Sequence, residues 1–168
     1  SRLAWNLVGY LCLYLVYRIG KLTLDDVALN PVNFRSGLKL AFGVIAIIAV
    51  IFSLGYLLYP SLYNDTRYKH SLATILYASI ILLPLKTVLL EELAFRGLLF
   101  GLLTKLGIRT IYSIVISSVC FGLWHIFSSF DLYASNFSNY SMPLKLTTAV
   151  AVILFTSIAG AFLSVLRL

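Results

Sequence analysis

Long apolar stretches alternate with short polar connections along this chain. Residues 40–60, 110–130 and 146–166 each run for 21 residues without an Asp, Glu, Lys or Arg. A helix needs about 20 predominantly apolar residues to cross the hydrocarbon core of a bilayer. The pattern therefore predicts membrane-spanning helices over these three stretches.

Two further regions add helices to this set. Residues 3–17 are apolar but short for a span, which predicts a first helix that either begins before Ser1 or is tilted and partly interfacial. Residues 71–104 are also apolar, and Pro84 predicts a kink or break before the helix continues over 85–104. Polar residues predict connections between the helices at 18–37, 60–70 and 129–146.

The composition agrees with a membrane protein. Charged residues make up 11% of the chain and its mean hydropathy is +0.97, whereas a soluble domain carries roughly 25% charged residues. We predict an all-α polytopic transmembrane bundle of about five to six membrane helices. Residues 1–168 form a single membrane domain in this interpretation, a fragment of a longer one, and the protein is an integral component of the cell membrane.

The net charge of +7 comes from scattered basic residues. Nucleic-acid-binding proteins carry clustered Lys and Arg side chains, and no such cluster occurs in this sequence. We therefore exclude nucleic acid as a partner and expect the lipid bilayer instead, because basic connections between spans suit anionic headgroups. His70 lies in the polar 60–70 connection, and we expect it at the surface.

The sequence Glu-Glu-Leu-Ala-Phe-Arg at residues 91–96 interrupts an otherwise apolar region. Ionisable side chains at membrane depth are costly and are functional by default. Glu92 and Arg96 are four residues apart on one helix face and can pair, whereas Glu91 lies roughly 140° away from Arg96 around the helix. One carboxylate is therefore predicted to be structural and the other free for chemistry. The alternative is an ion-pair cluster that only holds helices together.

His125 is the histidine inside a predicted span, and Phe121 lies one helical turn before it. A carboxylate and an imidazole on neighbouring helices can share a water, with Glu91 taking its proton and His125 orienting it or relaying the proton. The alternative for His125 is a hydrogen-bonded core residue. A Ser–His mechanism is disfavoured, because no Gly-x-Ser-x-Gly sequence is present.

A metal is the other chemistry that these side chains allow. Catalytic zinc usually takes three protein ligands, and soluble zincins supply two of them from His-Glu-x-x-His, which this sequence lacks. Glu91 and His125 are the candidate metal ligands. The cofactor is therefore left open between a divalent metal such as zinc and no cofactor.

These residues resemble the CAAX-protease and bacteriocin-processing family of membrane proteins, also called the Abi family. Its first motif, Glu-Glu-x-x-x-Arg, is matched by Glu91, Glu92 and Arg96. Its second motif, Phe-x-x-x-His on the next helix, is matched by Phe121 and His125. The resemblance extends from about residue 22 to the end of the chain and implies an intramembrane endopeptidase, labelled a metalloprotease in this family.

The resemblance also implies roles for the matched residues. Glu91 is expected to activate water with His125 as its partner, while Glu92 and Arg96 support the site and Phe121 packs beneath it. The implied substrate is a peptide or a lipid-modified peptide, either prenylated or of the bacteriocin type. The alternative is a non-catalytic member of the same family that acts as a bacteriocin immunity factor or scaffold.

The family's third motif, a His with an Asn or similar residue four positions on, has no match after His125. The simplest interpretation is that the sequence stops before this motif. The alternative is a protein that has lost the motif and its activity. We therefore expect this chain alone to be inert as a protease.

Overall fold

The computed structural model describes residues 2–62, 71–136 and 141–168, and the prediction for His70 lies outside these ranges. Every regular element in them is helical. The helices are α1 (Arg2–Ile19), α2 (Phe34–Leu58), α3 (Leu72 to Lys105), α4 (Thr110–Trp124), α5 (Ile126–Asn136) and α6 (Met142–Leu166), with 3₁₀ turns at Pro31–Asn33 and Pro60–Leu62.

Four of the helical stretches in the described ranges are long and apolar enough to cross a membrane. They are Gly37–Leu58, Ala73–Lys105, Thr110–Ala134 and Met142–Leu166, and Asn6–Ile19 is a shorter apolar helix. The predicted all-α polytopic architecture is confirmed. The protein is an integral membrane protein.

The described chain divides into two compact units. The first combines Ser1–Ala28 with Leu85–Leu168, and the second is Leu29–Pro84. The second unit holds α2 and the first turns of α3. No described side chain of α2 is buried.

Helix α3 changes its hydrogen-bonding pattern repeatedly along its length. Ser71 caps its start, with the Ser71 hydroxyl accepting the Thr74 N–H at 3.3 Å. The helical turns do not stop at Pro84; wider π-helical turns lie on both sides of the proline, whose missing N–H leaves a carbonyl of the preceding turn without its helical donor. The π-helical segments are Ala78–Leu82, Pro84–Val88 and Glu92–Leu99.

Helix α1 packs against α3 in the first unit and supplies hydrogen bonds to its irregular turns. The Asn6 amide donates to the Lys86 carbonyl and the Tyr10 hydroxyl to the Leu85 carbonyl, both at 2.8 Å. A Cβ on Gly9 would lie 2.7 Å from Leu90 Cδ1, so the glycine permits this close approach. Side chains of α1 thus donate hydrogen bonds to backbone carbonyls in the π-helical turn Pro84–Val88.

Helices α4 and α6 pack closely through small residues. A Cβ on Gly122 of α4 would lie 2.7 Å from the Ile153 carbonyl oxygen of α6. Four buried serines lie on these two helices, and small side chains of this kind let membrane helices approach closely. They are Ser113, Ser117, Ser118 and Ser164.

The connection predicted over 129–146 is wrong at both ends, because α5 extends to Asn136 and α6 begins at Met142; residues 137–140 lie outside the described ranges. Its polar side chains are used inside the helical structure. The fully buried Ser129 donates from its hydroxyl to the Ile126 carbonyl at 2.5 Å. The Tyr133 hydroxyl accepts the Ser141 N–H at 2.7 Å. Polarity here marks local hydrogen bonding and not a loop.

Residues 20–28, which we call the 20–28 segment, form a folded part of the first unit. Leu22 and Val27 are buried with Leu98 of α3 in one hydrophobic cluster. A Cβ on Gly101 would lie 2.5 Å from the Asp26 carbonyl oxygen. Gly97 and Gly101, which lie one helical turn apart on α3, therefore pack against this segment.

Candidate active site

Glu92 and Arg96 form the ion pair that their spacing predicts. Arg96 Nη1 lies 3.0 Å from Glu92 Oε1, and the side chains are 5% and 37% exposed, respectively. Both residues lie in the π-helical segment Glu92–Leu99. The pair places a positive charge in the interior of the first unit and its neutralising carboxylate nearer the surface.

Arg96 is held by an aromatic ring as well as by a carboxylate. Its guanidinium carbon lies 3.8 Å from the centre of the Phe121 ring, within the range of a cation–π contact. Gly160 of α6 leaves room on the other side, since a Cβ there would lie 3.3 Å from Arg96 Nη2. None of the Arg96 nitrogens has a well-directed hydrogen bond to a described residue.

Glu91 has different surroundings from Glu92. Its Oε1 accepts a hydrogen bond at 3.1 Å from the indole N–H of Trp124, at the end of α4. Among the described residues no cation lies within ion-pair distance of Glu91 and no donor contacts its Oε2. Its direct partner is therefore a neutral group, and Arg96 acts on Glu91 only from beyond ion-pair distance.

His125 lies at the junction between α4 and α5, where it is the residue that ends α4. Its Nδ1 lies 2.9 Å from the Phe121 carbonyl oxygen, and the two rings meet edge to face with centroids 4.6 Å apart. A carbonyl oxygen only accepts hydrogen bonds, so Nδ1 must carry the proton. Nε2 is then the ring nitrogen left for chemistry.

Phe95 connects the two sides of the site. Its ring packs edge to face against Phe121, with centroids 5.4 Å apart, and against Trp124, at 6.1 Å. The Phe95 carbonyl accepts a hydrogen bond at 2.7 Å from the hydroxyl of Ser117 on α4. These contacts fix the π-helical turn of α3 against α4.

Four of the five predicted site residues form a chain of direct contacts, and the fifth, Glu91, is linked to them through Trp124. Arg96 touches Glu92 and Phe121, and Phe121 touches His125. Glu91 reaches this group through Trp124, the residue before His125. Trp124 is not among the residues that the sequence predicts for the site. The feature that could have indicated it is an indole N–H donor directly before the candidate His125.

The described residues do not form a metal site of the usual zinc type. No group of three or more His, Cys, Asp or Glu side chains converges anywhere in the described ranges. A catalytic zinc commonly takes three protein ligands. The donor set of Glu91 and His125 does not meet that requirement.

Together these features define a helical membrane protein in which a carboxylate without a described cation in ion-pair contact lies next to an ion pair whose arginine is buried. The chain belongs to the type II CAAX prenyl endopeptidase Rce1-like family, whose sequence profile matches residues 72–168. The match covers more than half of the chain and contains every predicted site residue. It confirms the resemblance to CAAX proteases and assigns the protein to a protease family.

Two other comparisons add nothing to this assignment. No curated protein and no solved structure matches the chain.

Proposed function

We propose that this protein hydrolyses a peptide bond within the membrane, in a prenylated or otherwise lipid-modified peptide tail, with Glu91 as the base that activates water. The observation that carries the proposal is the division between the two glutamates. Arg96 neutralises Glu92, whereas Glu91 receives only a neutral N–H. A carboxylate that has a free oxygen and no cation in ion-pair contact can accept a proton from water.

The proposed reaction needs no covalent intermediate with the protein. Glu91 Oε2 takes a proton from a water, and the resulting hydroxide attacks the carbonyl carbon of the scissile peptide bond. The tetrahedral intermediate collapses when the C–N bond breaks and the amine leaves with a proton returned from Glu91. His125 Nε2 orients the water or relays this proton, since its Nδ1–H is already bonded to the Phe121 carbonyl.

Glu92, Arg96 and Phe121 support the site in this proposal. The ion pair and the cation–π contact hold the π-helical segment Glu92–Leu99, which begins directly after Glu91, against α4. Arg96 contacts Glu92 directly, so no described cation occupies the Glu91 carboxylate and its Oε2 is available to a water.

The test is proteolysis by the natural full-length protein in reconstituted vesicles. The probe is a quenched fluorescent peptide that ends in a prenylated cysteine and three further residues. We expect cleavage by the wild type and a loss of about 10²–10⁴ in kcat for Glu91→Ala and His125→Ala, the range typical of general acid–base groups. Thermal unfolding in detergent must show that both variants are folded.

Two results would contradict the proposal. If the wild type cleaves and Glu91→Ala keeps full turnover, Glu91 is not the base. If the folded wild type cleaves neither the prenylated peptide nor an unmodified one, the alternative of a non-catalytic immunity factor or scaffold is favoured. A chelator titration in the same assay tests for a metal, because a metal-independent reaction keeps its rate.

A further inference from the structure

The hydrogen bond from Trp124 to Glu91 fixes one oxygen of the proposed base. We propose that Trp124 is a positioning residue for the base: its indole N–H occupies Oε1 of Glu91 and so leaves Oε2 as the oxygen that meets water. The inference rests on the proposed function, because it assigns a task to the same carboxylate.

The first argument is the chemistry of the donor. An indole offers one N–H and no acceptor, so it holds one carboxylate oxygen without giving or taking a proton. The 3.1 Å Nε1–Oε1 distance is that of an ordinary N–H···O hydrogen bond. A Lys or Arg in this place would neutralise the carboxylate, as Arg96 does for Glu92. Trp124 orients the group and leaves its charge in place.

The second argument is that the indole itself is held. Phe95, four residues after Glu91, contacts the Trp124 ring edge to face at a centroid distance of 6.1 Å. Trp124 is also the last residue of α4, directly before His125. A change in the Trp124 ring position therefore moves the base and the start of α5 together.

The third argument is exposure. Trp124 is 56% exposed although it makes a directed hydrogen bond. A ring placed only for core packing would be buried like Phe121, which is 8% exposed. Trp124 instead keeps more than half of its surface exposed while its N–H is bonded to Glu91.

The kinetic test uses Trp124→Phe, which keeps an aromatic ring and removes the N–H. We expect kcat to fall roughly tenfold or more, as for loss of a hydrogen bond to a charged group, while KM stays within about twofold because the apolar surface remains. The matched control is Phe127→Leu, three residues further on and 76% exposed. It should leave kcat and KM unchanged. Wild-type kcat in Trp124→Phe would overturn the proposal.

A second measurement does not depend on activity. The chain has two tryptophans, Trp5 and Trp124, so ¹⁵N-indole labelling gives two N–H resonances that Trp5→Phe assigns. A charged acceptor makes a stronger hydrogen bond than a neutral one, and Glu91→Gln should therefore move the Trp124 indole proton upfield. Glu92→Gln should leave it in place.

The outcomes separate this inference from the proposed function. If the Trp124 indole resonance does not shift in Glu91→Gln, the hydrogen bond is absent and the positioning role is wrong, even if the wild type cleaves peptide. A wild type without proteolysis removes the proposed function, while the resonance still reports whether Trp124 holds Glu91. A slow Trp124→Phe enzyme with a shifted resonance in Glu91→Gln supports both.

Discussion

At the scale of single residues, the adjacent glutamates of α3 differ because of what lies across from each. Glu92 meets Arg96 on its own helix, a contact that helical periodicity alone predicts. Glu91 meets Trp124 on another helix. That contact depends on how α4 packs against a π-helical turn, which no periodicity in the sequence reports.

We expect Glu92→Ala to destabilise the folded protein more than Glu91→Ala does. Glu92→Ala leaves Arg96 buried without its carboxylate, and breaking such a pair costs about 3–5 kcal/mol. The lower end applies here, since Glu92 is 37% exposed. Glu91→Ala removes one hydrogen bond to an exposed indole and should cost about 1 kcal/mol.

The measurement is the unfolding temperature of each purified variant in one detergent. Glu92→Ala should unfold several degrees below Glu91→Ala. The reverse ranking would show that Glu91 carries the structural role. Arg96→Met in the Glu92→Ala background serves as a control, because it removes the unpaired charge and should recover part of the lost stability.

At the scale of elements, the π-helical turns of α3 are matched by hydrogen-bond donors on its neighbours. Asn6 and Tyr10 reach the Lys86 and Leu85 carbonyls, and Ser117 reaches the Phe95 carbonyl. A wider turn leaves carbonyl groups poorly satisfied, and a donor from another helix compensates. The π-helical turns of α3 are therefore stabilised by hydrogen bonds from α1 and α4.

Two buried serines of α4 should respond in opposite ways to replacement by alanine. Ser117→Ala leaves the Phe95 carbonyl without its donor and should destabilise the protein by about 1 kcal/mol. Ser113 is as deeply buried, at 0% exposure, but its hydroxyl has no hydrogen-bond partner among the described residues. Ser113→Ala should be neutral or slightly stabilising, because it removes an unsatisfied polar group.

Thermal unfolding of the two variants in parallel checks this expectation. Each change replaces a serine of α4 by alanine, so the effects of helix propensity and side-chain volume are the same in both variants and drop out of the difference. Equal losses of stability would mean that the bond to the Phe95 carbonyl contributes nothing.

The elements show what the sequence predicts and what it leaves open. Runs such as 146–166 predict a helix because no charged residue interrupts them, and α6 has nearly those bounds. The residues after Ser128 predict a connection by polarity, yet Ser129 and Tyr133 bond to nearby backbone and α5 forms. The π-helical geometry of α3 has no sequence signature beyond Pro84.

At the scale of the whole molecule, charged groups tie together chain segments of the first unit that are far apart in sequence. Arg167 donates to the Asp26 carbonyl and stacks over Phe100 at 4.2 Å, and Lys105 donates to the Lys21 carbonyl. Lys105 Nζ also lies 4.0 Å from Asp26 Oδ2. The ends of α3 and α6 thus meet the 20–28 segment at one place.

Asp26 gives this region a pH dependence. The Thr23 N–H donates to Asp26 Oδ2 at 2.7 Å, and this bond, with smaller contributions from Lys105 and Arg167, lowers the pKa of Asp26. A lowered pKa stabilises the fold above the unfolded value, roughly 3.9 for Asp, and the stabilisation is lost as pH falls through the folded value. Asp26→Asn should therefore be less stable than the wild type at pH 7.

The difference between the two proteins should shrink as the pH is lowered below about 4. Denaturant unfolding in detergent at pH 7, 5 and 3 measures it. A stability difference that stays constant over this range would mean that Asp26 acts through its shape or its neutral hydrogen bonds, and not through its charge.

The 20–28 segment also bears on how the orientation of this protein in its membrane is mapped. A connection between spans is the usual place to insert an epitope tag or a reporter. This one is buried at Leu22 and Val27, bonded to Lys105 and Arg167, and pressed against Gly101. Insertion tolerance follows backbone burial and bonding, not position between helices. A tag placed there would report the side of the membrane reached by a disrupted protein.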